Sequence, residues 1–135
     1  RLAQTARDVP VWLCHAEARL VPQALRDLGL HLIPCAVGAD GRVDISDALQ
    51  RLTALGLTRI FCEGGGTLAA SLIAGGHAAQ IVTFSAGRVF GSNGTPGVGP
   101  LEGGPTLHAP DYVLDAVQVV GSDVMHRWSL RGGPN

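Results

Sequence analysis

The 135-residue sequence contains no lysine; all ten of its basic residues are arginine. Schiff-base chemistry, a P-loop lysine and a catalytic ammonium are therefore excluded within this chain. Cysteine is scarce and scattered, at Cys14, Cys35 and Cys62. An odd, dispersed set is not a disulfide framework and points to a reducing, cytoplasmic setting. No apolar run approaches the ~20 residues of a membrane span, and no signal-peptide pattern opens the sequence. A membrane is not an expected partner. The ten basic residues stand against eleven acidic ones, for a net charge of −1, with no basic stripe or polybasic tail. A nucleic-acid backbone is not an expected partner either. What remains is 46% hydrophobic residues and 16% charged ones, a composition that builds a core and excludes intrinsic disorder. The length suits a single domain, since domains commonly run about 100–150 residues. The sequence begins at Arg1 inside a polar segment and reads as a piece of a longer chain.

Hydrophobic spacing gives the order of elements. The apolar run 9–14 reads as a strand. Val21, Ala24, Leu25 and Leu28 share one helical face, with Pro22 in its first turn and Gly29 at its end. Residues 30–34 read as a second strand, and 38–41 as a turn. Ile45, Ala48, Leu49, Leu52 and Leu55 form another helical face, with Asp44 or Ser46 as N-cap and Gly56 as stop. Residues 59–63 are expected as a third strand, leading into Gly64-Gly65-Gly66. A short helix through Leu68, Ala69, Leu72 and Ile73 closes at Gly75-Gly76, and 79–85 is a fourth strand. This β-α-β-α-β-α-β order implies a mainly parallel sheet flanked by helices. Residues 87–104 form a long loop rich in Gly and Pro, a kind that is often functional. Two final strands, 112–120 and 124–130, surround Gly121-Ser122-Asp123 and predict an antiparallel β-hairpin. The class is α/β in one domain.

The glycine turn is the most informative stretch. With no Cβ at Gly64, Gly65 and Gly66, a ligand can approach the backbone closely. The first N–H groups of the following helix lack internal partners, and the dipole there favours an anion such as a phosphate or pyrophosphate. The plain alternative is a tight βα turn that simply needs glycine. Gly64 to Ala69 also fits G-x-G-x-x-G/A, but the next strand ends in Thr83-Phe84-Ser85. The ribose-binding acid of the dinucleotide fingerprint is absent, which disfavours a standard Rossmann domain. Glu63 closes the expected third strand, where open α/β sheets bind ligands. It reads either as an acceptor for ligand hydroxyls or as an acceptor for loop amides.

The run Glu63-Gly64-Gly65-Gly66-Thr67-Leu68-Ala69-Ala70-Ser71-Leu72 resembles the cofactor turn in the reductase domain of bifunctional riboflavin-biosynthesis deaminase/reductase proteins. Leu49, Leu52 and Leu55-Gly56 before it, Gly91 after the next strand, and Gly121-Ser122-Asp123-Val124 in the final hairpin fit as well. The resemblance implies a dihydrofolate-reductase-like fold and an NADPH-dependent oxidoreductase. That reductase converts the ribosyl group of 5-amino-6-(5-phosphoribosylamino)uracil to ribityl. It puts Glu63 on a substrate-contacting acid, and Gly64, Gly65, Gly66, Thr67, Leu68, Ala69, Ala70 and Ser71 on the NADP-binding segment. It further implies a phosphorylated pyrimidine as small-molecule substrate, a homodimer, and a deaminase domain elsewhere in the full-length chain. The family's earlier strands, with a Ser-x-Asp-Gly segment, are not matched, so the sequence reads as the later part of the domain. His77-Ala78-Ala79-Gln80 replaces an acidic segment, and Gly87 replaces a usual proline.

Two other readings are carried. One is a non-catalytic phosphate-binding or dimerisation module of the same fold. The other is a zinc deaminase, suggested by Cys14-His15-Ala16-Glu17 and Pro34-Cys35. Its P-C-x-x-C element lacks the second cysteine, so no metal site is expected. Trp12 and Trp128 read as packing residues, and His15, Arg19 and Arg88 as surface groups.

Overall fold

The computed structural model describes residues 5–101 and 110–133. The chain divides into two compact units, Arg1–Ile60 and Phe61–Asn135. In the first unit, β1 (Trp12–Ala16) and β2 (His31–Cys35) pair in parallel, with Cys14 opposite Ile33 and Ala16 opposite Cys35. Between them lies a single helical turn, α1 (Gln23–Arg26), N-capped by Pro22. It ends where Gly29 takes φ +78°, a conformation that glycine adopts without penalty.

The helix α2 (Ile45–Ala54) follows the turn at 38–41. Of the two expected caps, Asp44 takes the role: its carboxylate accepts from the N–H groups of Ser46 at 2.8 Å and Asp47 at 3.2 Å. Ile33, Cys35 and Ala48 form the buried centre of this unit, with Trp12, Cys14, Val43 and Leu52 packed against it. Asp47 fastens the helix to the end of β2. Its carboxylate accepts from the Ala36 N–H at 2.7 Å and from Arg51 Nε at 2.7 Å. The Arg51 bond, followed by the Ala36 N–H, holds its pKa below the usual carboxylate range. Replacing Asp44 with Ala should cost about 1 kcal/mol of stability, while Asn should retain most of it. Urea denaturation of the two variants checks this; equal midpoints for Ala and wild type would show that the cap carries no weight.

In the second unit, α3 (Gly66–Ala74) precedes a three-stranded antiparallel sheet. Its strands are β3 (Gln80–Ser85), β4 (Tyr112–Val120) and β5 (Asp123–Leu130), in the order β3-β5-β4. The β4–β5 hairpin turns at Gly121, with φ +61°. A register shift between Leu114 and Ala116 places an irregularity at Asp115. The hydroxyl of Tyr112 donates to the Ala78 carbonyl at 2.8 Å, tying the hairpin to the entry of β3.

The α/β class and the antiparallel C-terminal hairpin are as the sequence predicts. One expected element is absent: residues 59–63 form no strand. A strand exists only where a neighbour completes its ladder, and among the described residues none pairs with this segment. Ile60 and Phe61 are accordingly 50% and 80% exposed. The next predicted strand, β3, finds its ladder antiparallel on β5, so among the described residues parallel pairing is confined to β1 and β2. The expected loop at 87–104 contains a short 3-10 helix at Gly91–Asn93, and its last residues lie outside the described ones.

Candidate functional site

The expected βα junction survives as an irregular segment running into a helix. Leu, Ala and Ser fill most of α3 after its glycine start, and leucine and alanine are strong helix formers. Gly65 is the N-cap, with φ −71° and ψ 172°, and no side chain caps the helix. The Ala69 N–H bonds back to the Gly65 carbonyl at 3.1 Å. The N–H groups of Gly66, Thr67 and Leu68 find no acceptor among the described residues. They are the orphan donors of a helix start, and they sit at the positive end of its dipole.

The three glycines differ in what requires them. A Cβ on Gly64 would stand nearest to the Leu68 side chain, 2.6 Å from a terminal methyl and 3.3 Å from Cβ. A Cβ on Gly65 would have none of the described residues within 4 Å, and its φ is ordinary for any residue. Among the described residues, therefore, none requires glycine at position 65. A purely conformational account of the triplet fails there, and the space beside Gly65 is available to a ligand.

Gly66 is different. A Cβ there would lie 3.1 Å from the Gly99 nitrogen, 3.1 Å from the Pro96 carbonyl oxygen and 3.3 Å from the Gly97 carbonyl oxygen. Pro96, Gly97 and Gly99 are the neighbours that sequence reading did not identify singly. Their only signal was the glycine-rich composition of the loop.

Glu63, one residue before the triplet, is exposed, and its carboxylate has no hydrogen-bond or ion-pair partner among the described residues. Of its two readings, the acceptor for loop amides finds no support among those residues. Thr67 and Leu68 lie in the first turn of α3, exposed with Glu63 and Gly65. Ala69 is half-buried and Ala70 buried, so the latter turns its methyl inward. The Ser71 hydroxyl donates to the Thr67 carbonyl at 3.1 Å, within the helix. Cys62 Sγ accepts from the Gly64 N–H at 3.4 Å.

The residues that suggested a deaminase occupy the first unit. Cys14 and Cys35 share a sheet face and interact, and burial, then the neighbouring Cys35, pushes the Cys14 thiol up to about 11. A thiol held protonated is a poor metal ligand, because metals bind the thiolate. The His15 ring meets the Ala16 carbonyl at 3.0 Å. Among the described residues, no three His, Cys, Asp or Glu side chains gather as a metal-binding group, and no helix is long and apolar enough to cross a membrane.

Comparison with known proteins adds to this geometry. The sequence profile of a family described as the RibD C-terminal domain matches residues 4–125. Two structures of Acinetobacter baumannii RibD, form 1 and form 2, are similar, each with TM-score 0.74 and 16% identity, over 96% of this chain and 34% of theirs. A pyrimidine reductase-like protein from Corynebacterium diphtheriae gives TM-score 0.70 and 16% identity, over 88% of this chain and 49% of its own. At that identity the likeness shows the fold. The chain spans about a third of the length of the Acinetobacter protein. Comparison with curated proteins finds no significant match.

Proposed function

Since the chain belongs to the RibD C-terminal domain family, we propose that it is the nucleotide-binding part of an NADPH-dependent reductase of riboflavin biosynthesis. Its substrate in this reading is 5-amino-6-(5-phosphoribosylamino)uracil, whose ribosyl group is reduced to ribityl. The single observation that carries the reading is the open space at Gly65. Among the described residues nothing requires a glycine there, whereas a pyrophosphate beside three orphan N–H groups would.

The cofactor supplies the hydride, and the protein supplies position and electrostatics. In this reading the backbone of Gly64, Gly65 and Gly66 admits the pyrophosphate. The N–H groups of Gly66, Thr67 and Leu68 hold it against the helix dipole, and Ala69, Ala70 and Ser71 complete the helix that carries them. Glu63, exposed and without a partner among the described residues, is the acceptor for the substrate's sugar hydroxyls. No lysine, metal or covalent nucleophile is required of the chain. A cytoplasmic homodimer, and a deaminase domain in the same full-length protein, belong to the same proposal.

The test is turnover by the full-length protein. NADPH absorbance should fall only when the phosphoribosylaminouracil is present, and mass spectrometry should find the ribityl product. NADPH binding without oxidation would instead favour a non-catalytic nucleotide-binding module. Absence of NADPH binding would overturn the reading.

A further inference from the structure

We propose that Gly66 and Gly99 form a backbone clasp that positions residues 94–99 as a second wall of the nucleotide site. The inference rests on the reading above and names positioning residues for it. The Gly99 N–H donates to the Gly66 carbonyl at 2.9 Å, joining the start of α3 to a loop more than thirty positions on. The fit is reciprocal. A Cβ on Gly66 would stand 3.1 Å from the Gly99 nitrogen and the Pro96 carbonyl oxygen. A Cβ on Gly99 would stand 3.2 Å from the Gly66 carbonyl oxygen and 3.4 Å from the Thr67 Cα.

All these neighbours are backbone atoms, so no side-chain rotation relieves the crowding. Neither residue has a positive φ. Glycine is favoured at both positions by close approach, not by backbone conformation. Gly97 lies in the same loop, but a Cβ there would meet nothing within 4 Å. The clasped pair is half-buried, whereas Gly65 beside it is exposed and open. The loop is thus held tightly at one point and leaves the neighbouring position free. A wall fixed in this way sets how wide the space beside the orphan N–H groups is, before any ligand enters it.

A methyl group at either position would push the loop outward by a few tenths of an ångström and stretch the Gly99 bond. Small displacements of positioning groups have large effects on bound-state geometry. In the full-length protein, Gly66→Ala and Gly99→Ala should each weaken NADPH binding about tenfold, and the double variant should be little worse, because both act on one contact. The KM for NADPH should rise while kcat at saturating NADPH stays near wild type. Gly87→Ala, outside the clasped loop and with none of the described residues within 4 Å of the added Cβ, should bind as wild type does. Amide exchange by NMR supplies an independent reading: the Gly99 N–H should be protected in wild type, more so with NADPH, and should lose protection in Gly66→Ala.

NADPH affinity unchanged in variants whose Gly99 amide has become unprotected would overturn the clasp as a positioning device. So would full protection in both variants, since glycine would then not be needed. If a variant fails to fold, the wild-type exchange decides alone: no change at Gly99 on adding NADPH refutes the proposal. Failure of the nucleotide reading itself is seen separately, as absence of NADPH binding by the wild type.

Discussion

Gly65→Asp should lose NADPH binding about a hundredfold or more and yet melt no lower than wild type. The two effects have opposite signs because position 65 is an N-cap. Its extended φ and ψ are those of an ordinary capping residue, and a side chain there enters open space. Aspartate is among the preferred N-caps, and its carboxylate would accept from the orphan N–H groups of Thr67 or Leu68. Helix α3 should therefore gain a few tenths of a kcal/mol over glycine. The same carboxylate stands where the pyrophosphate is proposed to sit. It takes the donors the ligand needs and brings a like charge to within a few ångströms. Like charges about 4 Å apart in a partly solvated site repel by up to about 4 kcal/mol, which spans roughly two to three orders of magnitude in affinity.

Gly65→Ala isolates the steric part. It adds a methyl and no charge, caps poorly, and should lower the melting temperature slightly while weakening NADPH far less than Asp does. Fluorescence titration with NADPH, beside circular-dichroism melts, reads both effects. Unchanged affinity in a folded Asp variant would remove the pyrophosphate from this turn. Loss of folding in both variants would show a conformational need that the dihedral angles deny.

How far the sequence alone reaches differs from element to element. Helix α2 is legible almost to the residue, because its apolar spacing, its acidic cap and its terminal glycine all agree. The β4–β5 hairpin is equally plain, since Gly121 sits between two runs of β-formers. These signals are local. Residues 59–63 carry the same kind of signal, yet whether they form a strand depends on a neighbouring edge that no local pattern reveals. The partner of β3 is likewise a tertiary choice: its composition suits a parallel neighbour or an antiparallel one, and β5 supplies the latter.

The site shows the same division. The glycine triplet stands out in the sequence as a place where backbone is exposed to a ligand. Which glycine serves which purpose does not. Gly65 and Gly66 are adjacent and chemically identical, but one borders open space and the other borders the backbone of residues 96–99. Only the folded chain brings the second glycine loop to the first. The resemblance of the triplet to a known cofactor turn supplied the family, and the family profile over residues 4–125 agrees with it. Open space and a packing contact are told apart only in the folded chain.

Glu63→Gln should raise the KM for the phosphoribosylaminouracil by about 10- to 100-fold and leave the NADPH dissociation constant unchanged. The surroundings of the Glu63 carboxylate decide this. It is exposed and makes no hydrogen bond or ion pair with the described residues, so the substitution removes nothing of the fold. Exposed substitutions of this kind usually change stability by no more than about 0.5 kcal/mol. A carboxylate that accepts from a sugar hydroxyl makes a charge-assisted bond, and such bonds contribute about 1.5–3 kcal/mol. Glutamine keeps the length and one acceptor oxygen but loses the charge, so most of that contribution should vanish. Because the bond is proposed for the bound substrate as well as for the transition state, the loss should appear in KM with kcat little changed. A fall in kcat at constant KM would instead mean that Glu63 acts only as the hydride moves. A weaker NADPH complex with substrate affinity intact would transfer the residue to the cofactor side of the turn. Steady-state kinetics with each substrate varied in turn separates these outcomes. Wild-type values for all three constants would exclude Glu63 from the site and return it to solvent.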